Sequence, residues 1–421
     1  MARYICEGGN TAKCVTVINC RNDVNKIKGV ITLKDDTTNK NIASWTINYN
    51  GESHMKKQLI IISGILILCA APCAMGCTQN NSSKIEKSDT ERSTKESTFL
   101  LDKEYKTKIN DITFDIDRIE VSDEVDFDNL HECSVTRQKP DQGKIIDKFS
   151  KNKEVVKKDS MDATSVDGST GTYDYRSFAD DSEVYAMDGG MGWSTAFSHK
   201  VSYSFESDDY FDKYAKEGSF DFGSIDNSLN QLVEELDKCG YELSNYDYEY
   251  FLLDYKTMQE EEKHEEKLGK ELDIHSDWSV DDNCYAIYIS QKEQGIPVYY
   301  GNKYFMEDTD PKMMPVGGTV SKNGVESIIV NNLYEIKEEN KLIKPVDFDT
   351  CAETIANKYG QILSDSKYVV NRAKLYFVPI LNEQGGYDIK LSWLFEIIKD
   401  DDSSAKEYIL IDAETGKEIT L

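Results

Sequence analysis

The sequence predicts an α+β fold of two modules, each an antiparallel sheet with one main packing helix, placed after a disordered tether. Short runs of alternating apolar and polar residues from about residue 99 onward are typical of half-buried strands. Two segments instead repeat apolar residues at helical spacing, which predicts one amphipathic helix in each module. Residues 78–98 are polar and lack aromatic side chains, which predicts the tether because such a segment cannot form a core. We expect the first module at residues 99–312 and the second at residues 313–421.

The first module begins with a strand and contains one irregular insertion. Apolar residues of 112–116 alternate with polar ones, which indicates a half-buried strand. Residues 151–181 lose this periodicity and are rich in Lys, Asp, Ser, Thr and Gly, so we expect an exposed, disordered insertion. Alternation returns at residues 197–205 and predicts a strand with His199 on its apolar face, where a structural role is expected for the histidine.

A packing helix and further strands complete the first module. Apolar residues at helical spacing predict a helix over 225–236, and Gly240 is suited to end it because glycine readily takes a positive φ. Residues 246–255 predict a strand covered on both faces. The charged segment 259–271 has few apolar residues, so we expect a solvated helix there. The last two apolar runs predict shorter strands at residues 285–289 and 296–300.

The second module repeats this pattern of strand, helix and strands. Residues 328–336 predict the first strand, and Asp347 is placed to cap a helix whose apolar stripe runs from Phe348 to Leu363. A tight turn over 412–417 closes the module. Before that turn, three apolar runs predict strands at residues 373–380, 387–398 and 408–411. A helix across this sheet would bury the apolar faces of both.

A pattern typical of an export signal occupies residues 55–77. Two lysines follow Met55, and the apolar run that starts at Leu59 is too short to span about 30 Å of hydrocarbon. Small residues gather directly before Cys77, and this stretch resembles the lipobox of bacterial lipoproteins. The resemblance implies cleavage between Gly76 and Cys77, acylation of Cys77, and anchoring at the extracytoplasmic face of the cell membrane. Cleavage with release of the protein is the alternative.

Residues 1–54 precede this signal and allow two interpretations. They are upstream DNA translated in frame, with Met55 as the true start, or they form a real segment before an internal helix. Residues 29–36 and 42–47 favour the second interpretation, because they predict two strands around a polar turn. We expect the first interpretation, since an export signal acts at an N-terminus and an isolated pair of strands is marginally stable.

Acidic residues outnumber basic ones 77 to 49, which leaves the chain with a net charge of −28. Residues 78–421 are more acidic still, near −32, with 72 acidic and 40 basic residues. A field of this sign repels nucleic acid and anionic lipid headgroups, so neither is expected as a partner surface. It favours cationic ligands or serves solubility alone.

Cysteines and catalytic motifs exclude several classes of site. Four cysteines follow the signal without a CxxC pair, so a zinc site is not expected, and disulfides and buried free thiols stay open as alternatives. They are Cys133, Cys239, Cys284 and Cys351.

HExxH, GxSxG, P-loop and EF-hand patterns are missing from the sequence, so we predict no catalytic residue, no cofactor and no metal. His264, His275 and Cys284 could approach a metal in principle, but solvated histidines are the simpler interpretation.

The C-terminal end carries a second resemblance. After a helix and a hairpin, the ending from Tyr408 to Ile419 places the turn Asp412-Ala413-Glu414-Thr415-Gly416 between two short strands. This arrangement resembles the PepSY-type domain of secreted peptidase propeptides and cell-surface regulatory proteins, over about residues 345–421. The resemblance implies a binding or inhibitory module rather than an enzyme.

Aromatic residues are the strongest indication of a binding surface. Tyrosines are concentrated where they could line a groove for a peptide or a carbohydrate, although strand packing explains many of them. The candidate surface consists of Tyr246, Tyr248, Tyr250, Tyr288, Tyr299 and Trp393. We therefore predict a lipid-anchored protein that binds an extracytoplasmic protein or peptide. An unrecognised extracytoplasmic hydrolase and a structural envelope component are the alternatives.

Overall fold

A computed structural model describes most of the chain after residue 103 and four strands before it. The described residues are 2–5, 14–23, 26–35, 41–50, 104–164, 170–201, 213–267, 275, 277–301, 306, 314–360, 367–383, 386–399 and 402–421. The predicted signal and tether, with Gly76 and Cys77, lie outside them. The chain divides into two compact units, Met1–Thr90 and Glu91–Leu421.

The first unit contains one antiparallel sheet in the order β1-β2-β3-β4. Its strands are β1 (Ala2–Ile5), β2 (Cys14–Asp23), β3 (Lys26–Asp35) and β4 (Asn41–Asn50). The pairing of β3 with β4 matches the two strands predicted around residues 29–47.

The second unit alternates many strands with few helices. In chain order its elements are β5 (Tyr105–Ile109), β6 (Ile112–Ile116), β7 (His131–Arg137), α1 (Gln142–Ser150), β8 (Val155–Thr164), β9 (Thr170–Phe178), β10 (Glu183–Met187), β11 (Gly190–Ser194), α2 (Ala196–Val201), α3 (Ile225–Lys238), β12 (Tyr246–Leu253), α4 (Tyr255–Lys267), β13 (Cys284–Glu293), β14 (Ile296–Pro297), β15 (Val316–Ser321), β16 (Gly324–Val330), β17 (Tyr334–Leu342), α5 (Phe348–Tyr359), β18 (Tyr368–Leu381), β19 (Tyr387–Lys399), β20 (Asp402–Asp412) and β21 (Glu418–Ile419). The fold is mixed α+β and rich in sheet.

These strands form two sheets. Within this unit, the chain starts in the C-terminal sheet, then forms the large sheet, and returns to the C-terminal sheet. The large sheet has the order β12-β13-β15-β16-β11-β10-β9-β8, with β14 beside β13. The C-terminal sheet has the order β17-β7-β19-β18-β6-β5, and β20 and β21 extend it beside β19. The predicted boundary between residues 99–312 and 313–421 is therefore wrong, because β5–β7 belong to the C-terminal sheet and β15–β16 to the large one. Strand β6 also pairs parallel to β18, so this sheet is not wholly antiparallel.

The helix predicted over 225–236 is confirmed as α3, which packs on the large sheet. Ser224 caps its start by accepting a hydrogen bond from the backbone N–H of Asn227, and Gly240 follows its end at φ 88°. The helix approaches the sheet so closely that a Cβ at Gly318 would lie 2.6 Å from the Leu232 Cδ1. Glycine at 318 therefore permits this contact. A second helix, α1, packs on the same core through Ile145, Ile146 and Phe149, in addition to the one packing helix expected.

The C-terminal helix is confirmed as α5, and it packs on the C-terminal sheet. The Phe348 ring meets the Trp393 ring edge to face, with centroids 5.0 Å apart. Asp347 precedes the helix as predicted, but its side chain makes no capping hydrogen bond. The predicted stripe residues Ile362 and Leu363 lie outside the described residues, and α5 ends at Tyr359.

Two predicted segments have a different structure. In place of a disordered insertion at residues 151–181, β8 and β9 form a long antiparallel hairpin whose β8 strand is exposed along Val155–Asp162. Within 197–205, residues up to Val201 form the helix α2 rather than a strand. Thr195 explains this start, because its hydroxyl accepts a hydrogen bond from the Ser198 N–H at 3.3 Å. His199 accordingly lies on a helix.

The four cysteines that follow the signal are buried free thiols, which decides between the two alternatives that the sequence left open. Burial raises the pKa of the Cys133 and Cys239 thiols to about 11 and that of Cys351 to about 12. These thiols pack as small apolar groups.

Among the helices of the described residues, none has the length and apolarity needed to cross a bilayer.

Candidate functional site

A cleft of about 640 Å³ opens between the large sheet and the C-terminal sheet. We call it the intersheet cleft. Three parts of the chain line it: residues 118–125, the ends of β12 and β13 with the following segment 295–301, and the middle of β18. Its volume lies in the range of sites that bind small molecules or short peptide segments.

Main-chain hydrogen bonds hold two of these parts against β18, on the edge opposite β19. Leu375 donates its N–H to the Glu120 carbonyl at 3.1 Å, and Glu120 donates to the Ala373 carbonyl at 2.8 Å. Further along the same strand, Tyr299 donates to the Phe377 carbonyl at 2.9 Å. These two parts of the cleft lining are therefore hydrogen-bonded to the C-terminal sheet.

Glutamine side chains dock the two sheets onto each other. Gln291 donates to the Tyr334 carbonyl at 2.7 Å and accepts from the Tyr334 N–H at 2.8 Å. Gln294 makes the same pair of contacts with His131, at 2.9 and 2.7 Å. Because a carboxamide carries one donor and one acceptor side by side, it can pair with both main-chain groups of one residue. These contacts position the segment that begins at Gly295, and so one side of the cleft.

Charges are distributed unevenly in the cleft. Asp247 and Glu249 are exposed on β12, whereas Arg118 and Lys374 line the part built on the C-terminal sheet. Glu120 also lines it, and its carboxylate accepts hydrogen bonds from two guanidinium nitrogens of Arg372. The β12 side of the cleft is therefore acidic, and the opposite side carries the cations.

The residues of the predicted aromatic surface lie in different parts of the structure. Tyr246, Tyr248 and Tyr250 share one face of β12, and Tyr248 is 37 % exposed and lines the cleft. Tyr299 also lines the cleft but is buried, and its hydroxyl donates to the Met306 carbonyl at 2.8 Å. Tyr288 lies on the opposite face of the large sheet, edge to face with Phe251.

The prediction is wrong for Trp393. Its side chain is 0 % exposed and lies in the core between the C-terminal sheet and α5. It cannot contribute to a binding surface. Apolar residues alternate with polar ones along most of β19, so the sequence placed Trp393 on an apolar face but did not show that α5 covers this face.

One cluster contains the residue types of a hydrolytic triad without its geometry. Ser194 Oγ lies 2.9 Å from His199 Nε2, and Glu183 Oε1 lies 3.5 Å from the same nitrogen. In a triad the hydroxyl and the carboxylate bind opposite ring nitrogens, so that the imidazole can pass a proton between them. The hydrogen bond from His199 is the largest influence on Glu183, and it holds the pKa of that carboxyl below its usual value. This arrangement is a structural polar contact.

A second polar cluster contains His275, one of the residues considered for a metal. Its backbone N–H and Nδ1 both lie 2.8 Å from Glu262 Oε1, and the Trp278 indole donates to Glu262 Oε2 at 2.8 Å. The carboxylate is thus occupied by protein donors. Over the residues that the structure describes, no three His, Cys, Asp or Glu side chains are grouped as they would be around a metal ion.

Several residues of the cleft had no signal in the sequence. Arg118, Glu120 and Lys374 look like ordinary surface charges. Only the three-dimensional pairing of β18 with residues near 120 and 298 brings them together.

Comparisons with known proteins address the fold. Neither a family model nor a curated protein matches this chain. An uncharacterized protein from Eubacterium rectale ATCC 33656, solved as a crystal structure, aligns with 76 % of this chain and 94 % of its own at 14 % identity and a TM-score of 0.50. The YpeB C-terminal domain of Bacillus megaterium aligns with 66 % of this chain and 93 % of its own at 11 % identity, and its TM-score of 0.23 is too low to carry an argument. The first similarity concerns the fold alone, a mixed α+β architecture with two sheets and few helices.

Proposed function

We propose that this chain is a lipoprotein of the outer face of the cell membrane that binds a peptide segment of another extracytoplasmic protein. The intersheet cleft is the observation that carries the proposal. It combines a suitable volume, an exposed tyrosine at 248 and opposite charges on its two sides. Peptide-binding sites join apolar and aromatic contact area with a few oriented polar groups in this way.

The C-terminal part of the chain supports a regulatory or binding role. Helix α5 lies across the strands β18–β20, and the turn from Asp412 to Gly416 joins β20 to β21, as the PepSY-type pattern over residues 345–421 would require. Asp412 accepts hydrogen bonds from the N–H groups of Glu414 and Thr415, and Gly416 takes a φ of 65°. A hydrolytic function has no comparable support, since Ser194 and Glu183 contact the same nitrogen of His199.

Binding is tested first with unbiased peptides. A phage-displayed library of random dodecapeptides would be selected on the full chain, and the enriched peptides synthesised for fluorescence anisotropy. We expect micromolar dissociation constants, and binding about tenfold weaker for Tyr248→Ser, because loss of an exposed anchor aromatic removes about 1.4 kcal/mol. Leu342→Ser is the matched control, since Leu342 is 42 % exposed on an edge strand of the other sheet. Enrichment of no peptide, or equal binding by Tyr248→Ser, would contradict the proposal.

The anchor is tested separately at Cys77. Acylation of a cysteine at the cleaved N-terminus adds apolar area worth about 0.8 kcal/mol for each buried methylene, which binds the protein firmly to membranes when several chains are attached. We expect cells grown with labelled palmitate to incorporate the label into the wild-type protein and not into Cys77→Ala. Label that persists in Cys77→Ala would exclude Cys77 as the site, and Cys73→Ala controls for the nearby cysteine.

A further inference from the structure

Strand β12 ends the large sheet, and the part of it beside the cleft is open to further pairing. Leu252 donates its N–H to the Ala215 carbonyl at 2.8 Å, so main-chain groups of even-numbered residues point away from β13. The contact from the Lys292 N–H to the Asn245 carbonyl confirms that odd-numbered residues face β13. No described residue pairs with the outer edge over 246–250. Such an edge can accept another strand.

Side chains along this edge form two different faces. The even-numbered residues with outward main-chain groups are the three tyrosines, and the rings of Tyr248 and Tyr250 lie 6.1 Å apart. The odd-numbered residues Asp247 and Glu249 project on the other face. An added strand would therefore meet aromatic rings on one side and carboxylates on the other, since side chains alternate across a sheet.

The electrostatic surroundings of the edge are mainly acidic. Glu217 and Asp226 lie near Tyr250 and, after burial and the neighbouring Tyr248, contribute to the raised pKa of its phenol. Lys292 pairs with Asp247 at 2.8 Å, and Lys216 lies over the Phe251 ring. Glu249 adds an exposed carboxylate at the centre of the edge. Cationic side chains would be attracted both to these carboxylates and to the tyrosine faces.

We propose that the outer edge of β12 binds a basic peptide segment in extended conformation, as an added strand whose end enters the intersheet cleft. This inference rests on the proposed function and names the partner as a cationic segment of another protein. Main-chain hydrogen bonds to residues 246, 248 and 250 would supply affinity, and the two faces would supply specificity. A second copy of the chain is disfavoured, because joining two such edges would bring like charges together on molecules of net charge −28.

The charge preference is tested with two defined peptides on the full chain. One fluorescein-labelled heptapeptide alternates lysine with valine, and the other alternates glutamate with valine. We expect the lysine peptide to bind at least about tenfold more tightly at 0.15 M salt, and to weaken as salt rises. Glu249→Gln should weaken it about threefold, whereas Glu339→Gln, an exposed glutamate on the edge strand of the other sheet, should leave it unchanged. Equal binding of the two peptides would overturn the inference.

The added strand is tested without altering the protein. Two versions of the lysine peptide carry N-methyl groups, one on every valine amide and the other on every lysine amide. Pairing through one edge predicts that only one version loses binding, by about tenfold or more, because alternate amides face β12. If the strand adds antiparallel with its lysines on the carboxylate side, the valines lie opposite the tyrosines and their amides point at β12. The version with methylated valine amides should then lose binding. If both versions bind equally well, or both equally poorly, strand addition is wrong.

Hydrogen exchange of the free protein gives an independent result. The Tyr248 amide should exchange quickly and the Glu249 amide slowly, since only the second faces β13. Equal protection of both amides would show that the edge is already occupied and would overturn the inference. Failure of the lysine peptide while phage-selected peptides still bind would reject the basic strand and leave the proposed function standing.

Discussion

Replacing Gln291 with alanine is expected to lower the free energy of unfolding by about 2–4 kcal/mol. Gln291 is 4 % exposed, and its carboxamide pairs with both main-chain groups of Tyr334 while also accepting from the Tyr300 hydroxyl at 2.7 Å. Alanine removes all three contacts in a buried place, and each donor or acceptor that loses its partner there costs about 1–3 kcal/mol. Urea unfolding followed by far-UV circular dichroism measures the loss.

Gln294→Ala is the matched control for this prediction. Its carboxamide makes the same two contacts with His131, but the side chain is only half-buried, so water can replace them and a loss of about 1 kcal/mol is expected. Equal losses for the two variants would mean that burial does not decide the strength of these contacts. A loss below about 0.5 kcal/mol for Gln291→Ala would show that the docking of the sheets does not depend on this residue.

Local patterns of the sequence predicted the two main packing helices, α3 and α5, well. The stripe that ends before Gly240 and the stripe that begins at Phe348 are set by spacing within one helix, so they require no knowledge of other parts of the chain. The hairpin of β18 and β19 was equally accessible, because its strands are neighbours in sequence. Elements whose pattern lies within one helix or one hairpin are therefore the ones that sequence reasoning recovers.

Pairing between distant segments could not be predicted in this way. Residues 328–336 look like one strand, yet β16 joins the large sheet and β17 joins the C-terminal sheet. Strands β6 and β7 similarly pair with segments far away in the sequence, as in the contacts of Thr113 with Val369 and of Val135 with Ile336. An alternating pattern shows that a face is buried but not which strand lies beside it. The intersheet cleft depends on such pairings, so its second side was not foreseen.

The sequence also could not show which aromatic residues of the predicted surface are exposed. Tyr248 and Trp393 both occur in strongly aromatic strands, but the first is exposed and the second is completely buried. Strand β12 ends its sheet, whereas β19 lies inside its own and is covered by α5. Position within the sheet, rather than residue type, decides which aromatic side chains can meet a ligand.

The charged helix α4 provides the second large prediction, because its buried face was not expected. The segment 259–271 was predicted to be solvated, yet Glu261 and Glu262 are 0 % and 1 % exposed. The apolar residues that normally mark a buried helix face are missing at these positions. In their place, Glu262 accepts from the His275 N–H and Nδ1 and from the Trp278 indole, all at 2.8 Å. Protein donors therefore occupy both oxygens of this buried carboxylate.

Glu262→Ala is therefore expected to lower the free energy of unfolding by about 3 kcal/mol, because three partly buried donors lose their acceptor at once. Glu262→Gln should cost less, about 1–2 kcal/mol, since the amide oxygen can still accept from His275. The control is Glu260→Ala: Glu260 is exposed on the same helix, so a change within about 0.5 kcal/mol is expected. Urea midpoints of the three variants, measured against wild type at one pH, check the order. If Glu262→Ala is no less stable than Glu260→Ala, the carboxylate does not hold His275 and Trp278 against α4.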